Sequence, residues 1–185
     1  FDGTVLVSGL AMERPFGTAP TLSADIVLDD MNLQALTEVF GFGEITGALD
    51  GSIRQLRLVD WSAQSFNAEL HTDPTWKGRQ RISQRAVQDL SSVGGNAGGL
   101  GNSLQAQALK LFDDFGYRQI GISCRLAEEV CEMDGLSSAA NSFSIVQGSG
   151  LPRLSVVGFN RRVDWPTLVE RLVAVTEGDS TPIIE

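Results

Sequence analysis

One histidine, two cysteines and one tyrosine in 185 residues leave little material for metal or nucleophilic chemistry. Zinc sites draw on several Cys and His side chains, and a serine hydrolase needs a histidine near its nucleophile. The lone histidine, His71, stands at a strand end beside Thr72, Asp73 and Pro74, which is a surface setting. Cations are also scarce: 14 Lys and Arg face 23 Asp and Glu, a net charge of −9. That balance excludes non-specific nucleic-acid binding, which depends on clustered Lys and Arg. No apolar run reaches the roughly 18 residues of a membrane span, so a soluble piece is expected. The chain opens at Phe1, and Thr4 to Met12 already reads as a strand. The expectation is therefore a carboxy-terminal fragment of a longer protein whose targeting segment lies upstream.

Period-two alternation of apolar and polar residues recurs along the chain. Leu22, Ala24, Ile26 and Leu28 alternate with Ser23 and Asp25; Phe66, Ala68 and Leu70 alternate with Ser65, Asn67 and Glu69; Ile120, Ile122, Cys124 and Leu126 alternate with Gln119, Ser123 and Arg125. Leu154 with Val156, Ile53 to Val59, and Phe143 to Gln147 add weaker candidates. One apolar face per strand implies antiparallel strands wetted on the other side. Three segments read as helices: Asn32 to Phe40 ended by Gly41, Asn102 or Ser103 to Phe115 ended by Gly116, and Asp164 onward through Leu168, Leu172 and Val175. A fourth, shorter one fits Ser83 to Leu90. The expected fold is α+β: a one-sided, twisted antiparallel sheet, elongated and groove-like, with about three to four amphipathic helices on its apolar face. Five glycines between Ser91 and Asn102 mark a flexible connection (91–102) between a front and a back half of one continuous module spanning 1–185.

The candidate chemical motifs fail one by one. The glycine-rich segment lacks the Gly-Lys-Ser/Thr end of a phosphate-binding loop, and Leu104 stands where a dinucleotide fingerprint wants Gly or Ala. Gly148, Ser149 and Gly150 lack the spacing of a nucleophile elbow. Asp113 with Asp114 and Glu128 with Glu129 are adjacent carboxylates whose side chains point apart, not acid–base dyads. No catalytic, metal or cofactor-binding residue is assigned, and no cofactor is expected. Lys77, Arg79, Arg81 and Arg85 form a local basic stretch, readable either as a solvated helix entry or as a contact for an anionic headgroup or partner loop. Cys124 and Cys131 flank a turn placed near Leu126 to Glu129. With a four-residue loop, Arg125 pairs with Val130 and Cys124 faces Cys131, within reach of a disulfide. Two buried free thiols are the alternative; a disulfide implies an oxidising compartment such as the periplasm.

Several phrases resemble a family. The segment from Ile82 to Gly95 (ISQRAVQDLSSVGG) is similar to the ISxRxxxxLSSxGG stretch of YdbH-type AsmA-like proteins. The segments Phe115 to Leu126 (FGYRQIGISCRL), Val130 to Gly135 (VCEMDG) and Gly150 to Trp165 (GLPRLSVVGFNRRVDW) also look like it. Gly47 to Leu58 (GALDGSIRQLRL) resembles the looser strand unit of the wider family. The resemblance implies a long curled sheet with an apolar inner groove, in a parent protein anchored at the inner membrane of a Gram-negative bacterium. That parent would span the periplasm and conduct phospholipid to the outer membrane. It further implies a small outer-membrane lipoprotein as partner, met by strand addition at the sheet edge. Nothing in these residues supports the family's older "dicarboxylate transport" label. Phe66, Ala68, Leu70, Ile120 and Ile122 are the candidate lining of such a groove; the competing expectation is that helices close a dry core over that face.

Overall fold

The computed structural model of the chain describes residues 2–93 and 112–176. Its framework is a single antiparallel sheet of 12 strands. The front half is a meander: β1 (Thr4–Glu13), β2 (Thr21–Asn32), β4 (Ala48–Val59) and β5 (Ser62–Thr72) pair side by side in that order. Between β2 and β4 the chain makes α1 (Leu33–Val39) and the short β3 (Ile45–Thr46). After β5 come β6 (Arg81–Ser83) and α2 (Gln84–Val93).

The spine of the molecule is β7 (Asp114–Ala127). Its second half pairs with β5 on one side and with β8 (Val130–Gly135) on the other; its first half pairs with β6 and with β10 (Ser142–Gly148). The sheet is completed by β9 (Ser137–Ala139), β11 (Val156–Gly158) and β12 (Arg162–Asp164), and α3 (Trp165–Thr176) follows. One strand thus joins the front meander to the back half. The sheet is continuous through β7, with α1 packed beside β2 and β3 and the other two helices on the back half.

Local chemistry explains the helix ends. The Asn32 side chain accepts the Ala35 N–H at 3.1 Å, and Gly41, at φ 64, lets the chain leave α1 in the left-handed region. Ser83 Oγ accepts the Ala86 N–H at 3.2 Å at the start of α2, and Asp164 Oδ2 accepts the Thr167 N–H at 3.0 Å at the start of α3.

The core lies in the back half. Phe115, Phe143, Ile145, Val146, Ile82, Val87 and Met133 are buried together, with Leu33 from α1 and Leu168 from α3. Tyr117 is inside this cluster and donates its hydroxyl to the Thr46 carbonyl at 2.6 Å; burial pushes its phenol well above the ordinary range. Gly47 lies so close to that hydroxyl that a Cβ there would collide with it.

Three expectations are corrected. Phe115 and Gly116 do not end a helix: both lie in β7, where Phe115 is 2% exposed. Its spacing from Leu104, Ala108 and Leu111 imitated a helical stripe, but β-sheet burial decides its state; those three residues lie outside the described residues. The glycine-rich connection from residue 94 onward also lies outside them, whereas Ser91 belongs to α2. The β7–β8 hairpin is tighter than its sequence suggests. Ala127 pairs with Val130 across a two-residue loop, with φ 51 at Glu128 and 61 at Glu129. These are the positive dihedrals of a type I′ turn, whose twist matches that of the flanking strands. Cys124 therefore pairs with Met133, and Cys131 with Leu126.

The two cysteines still share a face and stand at disulfide distance on the diagonal, with Cα atoms 5.5 Å apart. Closing so short a loop restricts the unfolded chain. Replacing both cysteines by serine is expected to cost about 2–3 kcal/mol, checked by urea denaturation of the oxidised protein and the double variant.

Candidate functional site

Strand register divides the sheet into two unlike faces. On one, Val5, Leu28, Gly51, Leu70 and Ile122 form a row across β1, β2, β4, β5 and β7; Val7, Ile26, Ile53, Ala68 and Cys124 form the next. The opposite face carries Leu6, Val27, Ser52, Glu69 and Ser123 in one row, apolar on β1 and β2 and polar from β4 on, and Arg54, Asn67 and Arg125 in another. The alternation of β5 and β7 is thus held in register with β4, whereas β1 and β2 place Leu6 and Val27 on the opposite face as well.

The apolar face is covered unevenly. Toward the back half, α3 reaches it: the Trp165 ring meets Phe66 edge-on at 5.1 Å between centroids. Ile120, Ile122 and Cys124 pack against the core cluster. The helices otherwise pack elsewhere, α2 against β6, β11 and α3, α3 against β12, and α1 against β3 and the end of β2. Toward β1 the face opens, leaving Val5 51% and Val7 49% exposed. All five candidate groove residues, Phe66, Ala68, Leu70, Ile120 and Ile122, are only half-buried. They form one contiguous strip on β5 and β7, at the boundary between the covered and the open part of the face.

Bulges bend the front meander. Asp30 and Gln55 sit at positive φ where the β2–β4 and β4–β5 registers slip. Each displaced amide is satisfied by a carboxylate of the neighbouring strand. Asp50 Oδ1 accepts the Asp30 N–H at 2.9 Å, and Asp25 Oδ1 accepts the Gln55 N–H at 2.7 Å. Bulges increase local twist, and these two are built from polar-face acids that the sequence shows only as ordinary alternation.

The polar face holds a shallow depression of about 640 Å³ lined by Arg54, Asn67, Glu69, Arg125, Asp134 and Arg161 among others. Its charges are largely self-paired: Arg125 bonds Glu132, and Arg161 reaches Asp134 at 3.4 Å. The Arg125 hydrogen bond and charge hold the Glu132 carboxyl below its usual range. Asp134 is lowered chiefly by the Ser138 hydroxyl.

Sequence reasoning grouped Lys77, Arg79, Arg81 and Arg85, and the structure places them differently. Lys77 and Arg79 are exposed in the loop before β6, Arg81 is ion-paired with Asp114, and Arg85 lies 3.7 Å from Asp89 across one turn of α2. Two of the four cations are thus already matched by acids.

Asp89 and Asp134 set opposite pH responses. Burial raises the Asp89 carboxyl, so the unfolded chain loses that proton first, and stability falls as pH climbs from about 3.8 through the raised value. The lowered Asp134 contributes stability above its ordinary value, lost as pH falls through the depressed one. Asp89→Asn is expected to flatten the former limb and Asp134→Asn the latter, measured as melting temperature between pH 3 and 7.

No metal-holding group of His, Cys, Asp and Glu occurs among the described residues, nor any helix long and apolar enough to cross a membrane. No family model, curated protein or solved structure matches this chain.

Proposed function

We propose that this chain is a non-enzymatic module of a periplasm-spanning envelope protein that carries phospholipid between inner and outer membranes, with acyl chains lying along the apolar face of β1, β2, β4 and β5. The observation that carries this reading is the open part of that face. Val5, Val7, Ile26, Leu28, Ile53 and Leu70 are aligned across four strands, yet Val5 and Val7 remain about half exposed, at 51% and 49%. Contiguous apolar surface of this kind is uncommon on a protein with no ligand or partner for it. The disulfide fits an oxidising compartment, and the sequence resemblance supplies the transport role.

The test is native mass spectrometry of protein purified from a periplasmic extract, before and after organic extraction. Co-purifying phospholipid on the unextracted protein supports the reading; a lipid-free chain at every loading counts against it.

A second reading has its own observation. Every residue of β1 is exposed, its outer edge carries no partner strand among the described residues, and Thr4 to Met12 contains no charge. Such an edge is open to strand addition. In this reading the chain docks a small outer-membrane lipoprotein there and holds no lipid. Proline at Leu6 or Val7 then abolishes lipoprotein co-purification.

A further inference from the structure

Successive hairpins place their tips along one rim of the sheet. The β1–β2 tip carries Phe16, which is 102% exposed. The β4–β5 tip is the two-residue loop Asp60–Trp61, and Trp61 is 67% exposed. The tips are neighbours, because the Asp60 N–H donates to the Pro20 carbonyl at 2.9 Å.

Trp61 is an unexpected residue for its place. Its φ is 63, in the left-handed region where Gly or Asn sits with least strain. A bulky aromatic is disfavoured there, and this one recovers little by packing. The equivalent position of the β7–β8 turn, Glu129 at φ 61, carries a residue suited to solvent. Two adjacent tips thus each hold an exposed aromatic ring, one of them at a backbone position that disfavours it.

We propose that this rim enters the interfacial layer of a zwitterionic phospholipid bilayer, Phe16 among the upper acyl carbons and Trp61 at headgroup level. Indole rings favour that level because one edge is apolar and the N–H remains wet. Charge selects the surface. Glu13, Asp60, Glu128 and Glu129 outnumber Arg14 at the tips, in a chain of net charge −9, so an anionic bilayer repels this rim and a zwitterionic one does not. The inference stands apart from the lipid-carrying reading, since the tips insert whether or not the apolar face is occupied.

The experiment is flotation of the whole chain with phosphatidylcholine vesicles, with and without added phosphatidylglycerol, comparing wild type with Phe16→Ser/Trp61→Asn. Asparagine tolerates positive φ, so the variant is expected to fold with an unchanged or higher melting temperature. Vesicles brominated in the acyl chains report Trp61 directly, against Trp61→Asn with Trp76 and Trp165 retained. The expected result is flotation with pure phosphatidylcholine, reduced at least fivefold in the double variant and weakened by phosphatidylglycerol, with bromine quenching lost in Trp61→Asn. A wild-type chain that stays unbound, a folded double variant that floats equally well, or flotation that requires phosphatidylglycerol overturns the proposal. Co-purified lipid is measured on the same double variant: its retention there separates loss of the tips from emptying of the apolar face.

Discussion

Phe143→Ala is expected to cost about 3–5 kcal/mol, the range for emptying a fully buried aromatic site. Phe143 is 1% exposed in β10, which pairs with β7, β9 and β11 at once. Its ring lies against Gly158, where a Cβ would overlap it, and the Arg161 guanidinium stands 5.9 Å from the ring centre. Removing the ring leaves a cavity that three hydrogen-bonded strands cannot collapse to fill. Thermal unfolding of the variant is expected about 10 °C below wild type. A shift of only a degree or two means that the back-half cluster is not the stability core.

The second large effect is on binding, with little on stability. Ile26→Glu/Ile53→Glu places two carboxylates side by side on the apolar face, since Ile26 and Ile53 are register partners. Both side chains are half-buried, so solvent reaches the new charges and the fold loses about 1–2 kcal/mol, against the much larger cost of Phe143→Ala. For an acyl chain lying on that row the same change is prohibitive: it must desolvate two carboxylates or leave. Phospholipid recovered per mole of protein is expected to fall at least tenfold, while Arg54→Glu on the opposite face leaves it unchanged. Near-wild-type lipid content in the folded double variant would mean that lipid sits elsewhere.

The contrast between these variants shows what was legible in the sequence. Strand alternation put Phe66, Ala68 and Leu70 on one side of a strand, as β5 has them, because period two has a direct geometric meaning. The Asn32 and Asp164 caps were equally readable, each being a local side chain-to-backbone bond. Phe115 was not, since a strand residue at helical distance from Leu111 carries no local mark of its state. Nor was the true β7–β8 register: Glu128 and Glu129 lack the Asn-Gly signature of a two-residue loop. The same absence hid Asp60 and Trp61, whose positive φ values only the backbone reveals. How much of the apolar face the helices leave open depends on where α2 and α3 pack, a long-range matter that no short stretch of sequence encodes.

Whether acyl chains lie on the apolar face is read by photocrosslinking in periplasm-expressed protein, with a benzophenone side chain at Ile53 and, as its control one residue along the same strand, at Arg54. These positions point to opposite faces of β4. Phospholipid adducts by mass spectrometry are expected at Ile53 and none at Arg54; no adduct at Ile53, or equal adducts at both, means that acyl chains do not lie on this face.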